Sequence, residues 1–117
     1  MKYTELEVWK ALRVLVNTLY GMTKEFPKDE LYGFTNQMRR SAVSIPSNIV
    51  EGCGRRTSVD TIQFLQVSKG SLYESETQSY LALDQNHFQI KEYQTLLEQI
   101  LKCKKLLDGF INYYKNL

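Results

Sequence analysis

Apolar residues recur at helical spacing in four separate stretches of the chain. Val8, Leu12, Leu15, Leu19, Met22 and Phe26 follow one another at steps of three or four, so one face of a helix carries all six. Pro27 stops that helix. A second stretch starts at Asp29, a good helix cap, and carries Leu31, Phe34, Met38, Ala42, Ile45 and Ile49 at a similar period. Pro46 falls inside it and cannot donate to the carbonyl of Ala42, which predicts a kink or a break near Ser44 to Pro46. Gly52-Cys53-Gly54 then supplies the glycines a helix C-terminus prefers.

The third stretch has a different texture. It is predicted to begin at Thr57 or Ser58, where Thr57-x-x-Asp60 has the spacing of an acidic capping box. Its best stripe is made of small residues, Ser68, Ser71, Ser75, Ser79 and Ala82, with Ile62, Leu65 and Leu72 on a neighbouring face. Small side chains let a partner backbone come close, so one side is expected to pack tightly against another helix. Gln85-Asn86-His87 reads as a turn. In the fourth stretch Leu96, Ile100, Cys103, Leu107, Phe110 and Tyr114 repeat the spacing of the first, and Tyr93, Leu97 and Ile111 widen the stripe. Four helices joined by short turns bury such stripes as antiparallel neighbours. The prediction is an all-α fold, a single domain over residues 1–117: an antiparallel up-down four-helix bundle with its second helix kinked near Pro46.

A chain of 117 residues with 43% apolar and 24% charged residues is long enough for one core and shows no sign of disorder. The N-terminal stretch carries acidic residues and no uninterrupted apolar run, and no segment approaches the ~20 apolar residues of a membrane span. The expectation is a cytoplasmic protein with no membrane association. Cys53 and Cys103 are too few for a disulfide framework and read as free thiols.

Charge is uneven along the chain. Residues 31 to 58 set Arg39, Arg40, Arg55 and Arg56 against Glu51 alone, and residues 59 to 86 set Lys69 against Asp60, Glu74, Glu76 and Asp84. One reading is mutual pairing across two neighbouring helices, Arg39 with Glu74 or Glu76. The other starts from Arg55-Arg56, in a glycine-containing turn, where guanidinium forks and backbone N–H groups suit phosphate oxygens. Lys102, Lys104 and Lys105 form a second basic cluster. A net charge of +2 is small for a nucleic-acid domain, but copies of Arg55-Arg56 gathered on the rim of an oligomer would add their phosphate contacts.

Arg39, Asn48 and Glu51, with Glu74 opposite, read as a structural hydrogen-bond network supporting the Pro46 region. Trp9, Tyr20, Tyr32, Tyr73 and Tyr80, together with Tyr113 and Tyr114, exceed what one core needs and suit a protein interface or base stacking. Catalytic groups are sparse. His87 is the sole histidine, and the chain has no G-x-S-x-G elbow, no phosphate-loop motif and no Glu-x-x-His pair. Glu74 and Glu76, two apart, point to different sides of a helix. A non-catalytic protein without metal or cofactor is expected.

Phe26-Pro27-x-x-Glu30-x-Tyr32-Gly33, followed by Gln37-x-Arg39-Arg40-Ser41-Ala42-Val43-Ser44-Ile45-Pro46-Ser47-Asn48-Ile49-Val50-Glu51-Gly52, resembles the four-helix-bundle family also called the 23S rRNA-intervening-sequence proteins. The similarity extends through Gly54-Arg55, Phe64-Leu65 and Lys69-Gly70-Ser71-Leu72, and to Val8-Trp9-Lys10-Ala11, so it covers nearly the whole chain. Val50 and Ser75 depart from the family's usual alanine and leucine. The resemblance implies an up-down bundle forming a ring-shaped homopentamer with no known catalytic activity. A related branch, the accessory protein of diversity-generating retroelements, is a similar basic barrel that associates with nucleic acid and a reverse transcriptase. The family's ribosomal label reflects genes found inside ribosomal RNA insertions. The expected partners are therefore further copies of the chain, RNA or DNA, and a protein such as a reverse transcriptase. The competing reading is a scaffold that binds only proteins.

Overall fold

The computed structural model describes residues 2–117. Four helices account for most of them: α1 (Glu7–Thr23), α2 (Asn36–Cys53), α3 (Ser58–Asp84) and α4 (Ile90–Lys115). They form a four-helix bundle about 45 Å long, with no strand among the described residues. The extensive pairings are α1 with α2, α2 with α3, α3 with α4 and α1 with α4, a closed square around one core.

The first and last stripes fold as their spacing predicts. Val8, Leu12, Leu15 and Leu19 of α1 and Tyr93, Leu96, Ile100, Cys103, Leu107 and Ile111 of α4 are buried. Phe110 and Tyr114 are only partly buried, at the edge of the core. Thr57 caps α3 as expected, its Oγ1 accepting from the Asp60 N–H at 3.2 Å. Asn86, in the predicted turn after α3, is the one described non-glycine residue with positive φ, at 62°.

One expectation about the second stretch is corrected. Its α-helix begins at Asn36, not at Asp29. Residues Lys28–Glu30 form a 3-10 turn and Leu31–Thr35 a wide turn in which Gly33 departs from helical geometry (φ −109°, ψ −116°). Leu31 is consequently exposed, and the buried stripe runs from Met38 through Ala42 and Ile45 to Ile49. At Pro46, where the sequence predicts a kink or a break, α2 runs on as helix and no break occurs. Side chains crowd the carbonyls just before that proline. Ser47 Oγ donates to Val43 O and Asn48 Nδ2 to Ser44 O, both at 2.8 Å, and Ser68 Oγ of α3 donates to Ile45 O at 2.8 Å.

The serine stripe of α3 faces α2. Ser44 and Ser71 hydroxyls are 2.9 Å apart, Thr61 Oγ1 donates to Gly52 O at 2.8 Å, and the Ser41 hydroxyl donates to Glu74 Oε1. Partner numbers rise on α3 as they fall on α2, so these two helices run antiparallel. Lys69 with Asp108 and Lys104 with Glu76 follow the same descending order between α3 and α4. Glycine matters here for the space it leaves. A Cβ on Gly52 would lie 3.2 Å from both Thr61 O and Phe64 Cβ. Gly54 has φ −85°, so the α2–α3 turn needs no left-handed residue.

Candidate nucleic-acid interface

Arg55 and Arg56 project from the short turn that joins α2 to α3. The turn closes through the Arg55 N–H, which donates to Gly52 O at 3.1 Å, and Thr57 then starts α3. Arg55 is held on one side by Glu51, at 3.1 Å, and lies with its guanidinium 4.4 Å over the Phe64 ring. That pair is exposed and weak, so Arg55 can exchange Glu51 for another anion at little cost. Arg56 is exposed and makes no ion pair among the described residues.

The other candidate cations do not gather around this turn. Arg39 turns toward α1, not toward α3: its Nε donates to Thr23 Oγ1 at 2.9 Å, its Nη2 reaches Tyr20 O at 3.5 Å, and its guanidinium lies 4.7 Å over the Tyr20 ring. It thus serves the carbonyl end of α1, where a cation is favoured. The expected pairing of Arg39 with Glu74 or Glu76 is absent because those carboxylates lie on α3, the opposite neighbour of α2. Glu74 accepts from Ser41, and Glu76 binds Lys104 at 2.7 Å in the α3–α4 seam. Lys104 also lies 4.5 Å over the Tyr73 ring. Arg40 is exposed beside the α2–α3 seam. Lys102 and Lys105 are exposed on α4, and neither they nor Arg40 forms an ion pair among the described residues.

The polar residues expected to form one network form separate pairs. Arg39 bonds to α1, Asn48 bonds within α2 to Ser44, Glu51 bonds to Arg55, and Glu74 bonds to Ser41. Among the described residues no hydrogen bond joins any two of the four.

The aromatic residues divide as well. Tyr32 is 88% exposed, and Tyr73 and Tyr80 are about half exposed on α3. Trp9 and Tyr20 are half-buried, Trp9 edge-on to Tyr3 with Arg13 5.7 Å above it. Three contacts had no signature in the linear pattern, since each joins residues far apart in the chain. They are Lys104 to Glu76, Lys69 to Asp108 at 2.8 Å, and His87 Nε2 to Glu30 Oε2 at 2.7 Å beside the Phe26 ring. A cavity of about 700 Å³ also opens between the start of α1 and the end of α4, lined by Leu6, Cys53, Lys105, Phe110 and Tyr114 among others.

The two thiols sit in unequal surroundings. Burial pushes Cys103 up to about 11, and the half-buried Cys53 is raised by the same cause, so neither is a ready nucleophile. Among the described residues no group of three or more histidine, cysteine or carboxylate side chains is placed to hold a metal ion. No helix there is long and apolar enough to cross a membrane.

The family model of the 23S rRNA-intervening sequence protein matches residues 4–109. The fold is similar to the crystal structure of a protein of unknown function from the S23 ribosomal protein family of Bacteroides thetaiotaomicron. The TM-score is 0.82 over 89% of this chain and 97% of that one, at 20% identity. That likeness is one of fold. No curated protein matches the chain.

Proposed function

The chain belongs to the 23S rRNA-intervening sequence protein family, and we propose that it acts as a non-catalytic, self-associating accessory protein that binds RNA or DNA through a basic rim. The observation that carries this reading is the Arg55-Arg56 pair at the α2–α3 turn. Both arginines are exposed, Arg56 has no acidic partner among the described residues, and Arg55 has only a solvent-exposed one. Two adjacent guanidinium groups suit a phosphodiester, and a ring of several copies, pentameric in the resemblance above, would repeat them around one end. Arg40, Lys102 and Lys105 extend the charge along the sides, whereas Arg39 and Lys104 serve seams between helices. A reverse transcriptase as protein partner and action in the cytoplasm belong to the same proposal.

Fluorescence anisotropy with a single-stranded RNA at two salt concentrations tests the rim. Binding should weaken steeply from 50 to 200 mM salt, with a slope reduced by about one per removed arginine in Arg55→Ala and Arg56→Ala. Salt-independent binding, or variants that bind like the parent, would sink the model. The exposed apolar side of α3 favours the second reading, a scaffold that binds proteins alone, and RNA-indifferent protein would leave that one standing.

A further inference from the structure

The cavity between the start of α1 and the end of α4 has an aromatic wall. Phe110 and Tyr113 hold their rings nearly parallel, at an interplanar angle of 5° with centroids 6.5 Å apart, and Tyr114 stands edge-on to both, at 5.2 and 5.3 Å. Tyr3 adds a fourth ring from the N-terminal 3-10 turn. Tyr3 and Tyr113 are 40% and 58% exposed, so ring surface is left open to water inside a concave site of about 700 Å³. That size lies within the roughly 300–1,000 Å³ of small-ligand sites, and a planar π system is the shape that such rings accept best.

The charges around the cavity favour an anion beside that plane. Lys105 lies in the wall and makes no ion pair among the described residues, whereas the wall's carboxylate, Glu7, is turned to Lys10 at 3.6 Å. Cys53, the last residue of α2, also lines the cavity, and the turn carrying Arg55 and Arg56 follows it directly. The antiparallel order of the helices brings the start of α1, the end of α2, the start of α3 and the end of α4 to one end of the bundle, so the aromatic cavity and the paired arginines share that end. Ring surfaces next to guanidinium and ammonium groups are the combination that holds single strands, bases stacking on the rings while phosphates meet the cations.

We propose that this cavity takes an unpaired base of a single-stranded nucleic acid, turned out from its neighbours, while the flanking phosphates lie on Lys105 and the Arg55-Arg56 turn. The base enters against Phe110 and Tyr113, with Tyr114 and Tyr3 as side walls. Stacking is tolerant of base identity, so the site fixes a strand's position without reading its sequence. This rests on the nucleic-acid reading above and supplies what a basic rim alone lacks, a contact that tells a single strand from a paired duplex.

Cys53 reports on the cavity, because a base inside it covers the thiol. Its slow alkylation by N-ethylmaleimide is followed by mass spectrometry, with Cys103, 1% exposed, as the internal control. A single-stranded oligonucleotide at about ten times its Kd should slow the reaction at Cys53 about tenfold, since only the unoccupied fraction reacts. An abasic strand of the same length should bind the rim and leave the rate unchanged. Tyr113→Ala, at a residue 58% exposed and so outside the core, should weaken the base-bearing strand about tenfold, the loss of one stacked base, and leave the abasic strand's affinity as it is. Equal affinity for the two strands, or a bound strand that leaves Cys53 open, would overturn the pocket while the basic rim stands. Protection by a free mononucleotide or by tetramethylammonium, where the strand gives none, would overturn it in favour of a small-molecule site. If no strand binds at all, pocket and rim fall together.

Discussion

Two seams hold this bundle together by different physics. Between α1 and α4 the contact is made of bulk: Leu12, Leu15 and Leu19 against Leu96, Ile100 and Leu107, nearly all without exposed surface. Between α2 and α3 it is made of small residues and hydroxyls. Ser68, Ser71 and Thr61 bond to groups on α2, and Gly52 leaves room for Phe64 and the Thr61 carbonyl. The first seam is stabilised by area removed from water, the second by dispersion at close approach together with hydrogen bonds that keep buried hydroxyls satisfied. Ser68 inside the core is therefore not a defect, because its partner is the Ile45 carbonyl one helix away.

That contrast can be broken most forcefully on its apolar side. Leu107→Ala should lower unfolding free energy by about 2–5 kcal/mol in urea titrations, through lost transfer energy and the cavity left behind. The apolar seam also contains a titrating group. Cys103 stays protonated to about 11 in the folded protein against 9.0 ordinarily, so above pH 9 the unfolded chain loses that proton first. Stability should then fall as pH rises from 9 to 11, by at most about 3 kcal/mol, and Cys103→Val should abolish that part of the slope. The hydroxyls of the polar seam contribute no such dependence. If Cys103→Val leaves the pH profile untouched, the thiol is not buried as described.

Smaller effects distinguish the seams by steric room. Gly52→Ala should destabilise by about 1 kcal/mol, since its methyl would press on a backbone oxygen and a Cβ, neither free to move. Gly109→Ala, where nothing lies within 4 Å, should instead stabilise by up to about 1 kcal/mol, through helix propensity alone. Paired thermal melts of opposite sign would support the distinction. The finest test compares two serines of one stripe. Ser68→Ala should cost about 1 kcal/mol, because Ile45 O loses a donor. Ser75→Ala should be neutral or slightly stabilising, because the Ser75 hydroxyl is buried without a partner. Equal losses at both positions would mean that the stripe acts by packing alone.

The sequence made much of this legible, and unevenly. The stripes of α1 and α4 identify their own buried faces, because large apolar residues at helical spacing leave no alternative. The small-residue stripe of α3 announces close packing, and it does lie against α2. Capping and period both continue through Leu31 and Phe34, so the linear pattern starts α2 at Asp29 instead of Asn36. What interrupts the helix is the backbone of Gly33, which no periodicity records. Arg39 meets α1 instead of α3 for a related reason. Charge summed by segment says that α2 is basic and α3 acidic, but α2 has two flanks, and Arg39 emerges on the one facing α1. Arg55-Arg56 was legible as an exposed turn pair because glycine and a helix cap bracket it.

The hydroxyl-to-carbonyl bonds of the α2–α3 seam have a consequence for alignment. A stripe of leucines repeats itself every few residues, and two such stripes slid past each other by one helical turn, about 5.4 Å, still bring leucine against leucine. Thr61 to Gly52 and Ser68 to Ile45 are spaced like teeth on a rack, and the Ser44 and Ser71 hydroxyls make a third. A one-turn slip would disengage all three together and drive the Gly52 gap onto a side chain. The polar seam therefore sets the register of the bundle, and the apolar seam supplies adhesion once that register is set.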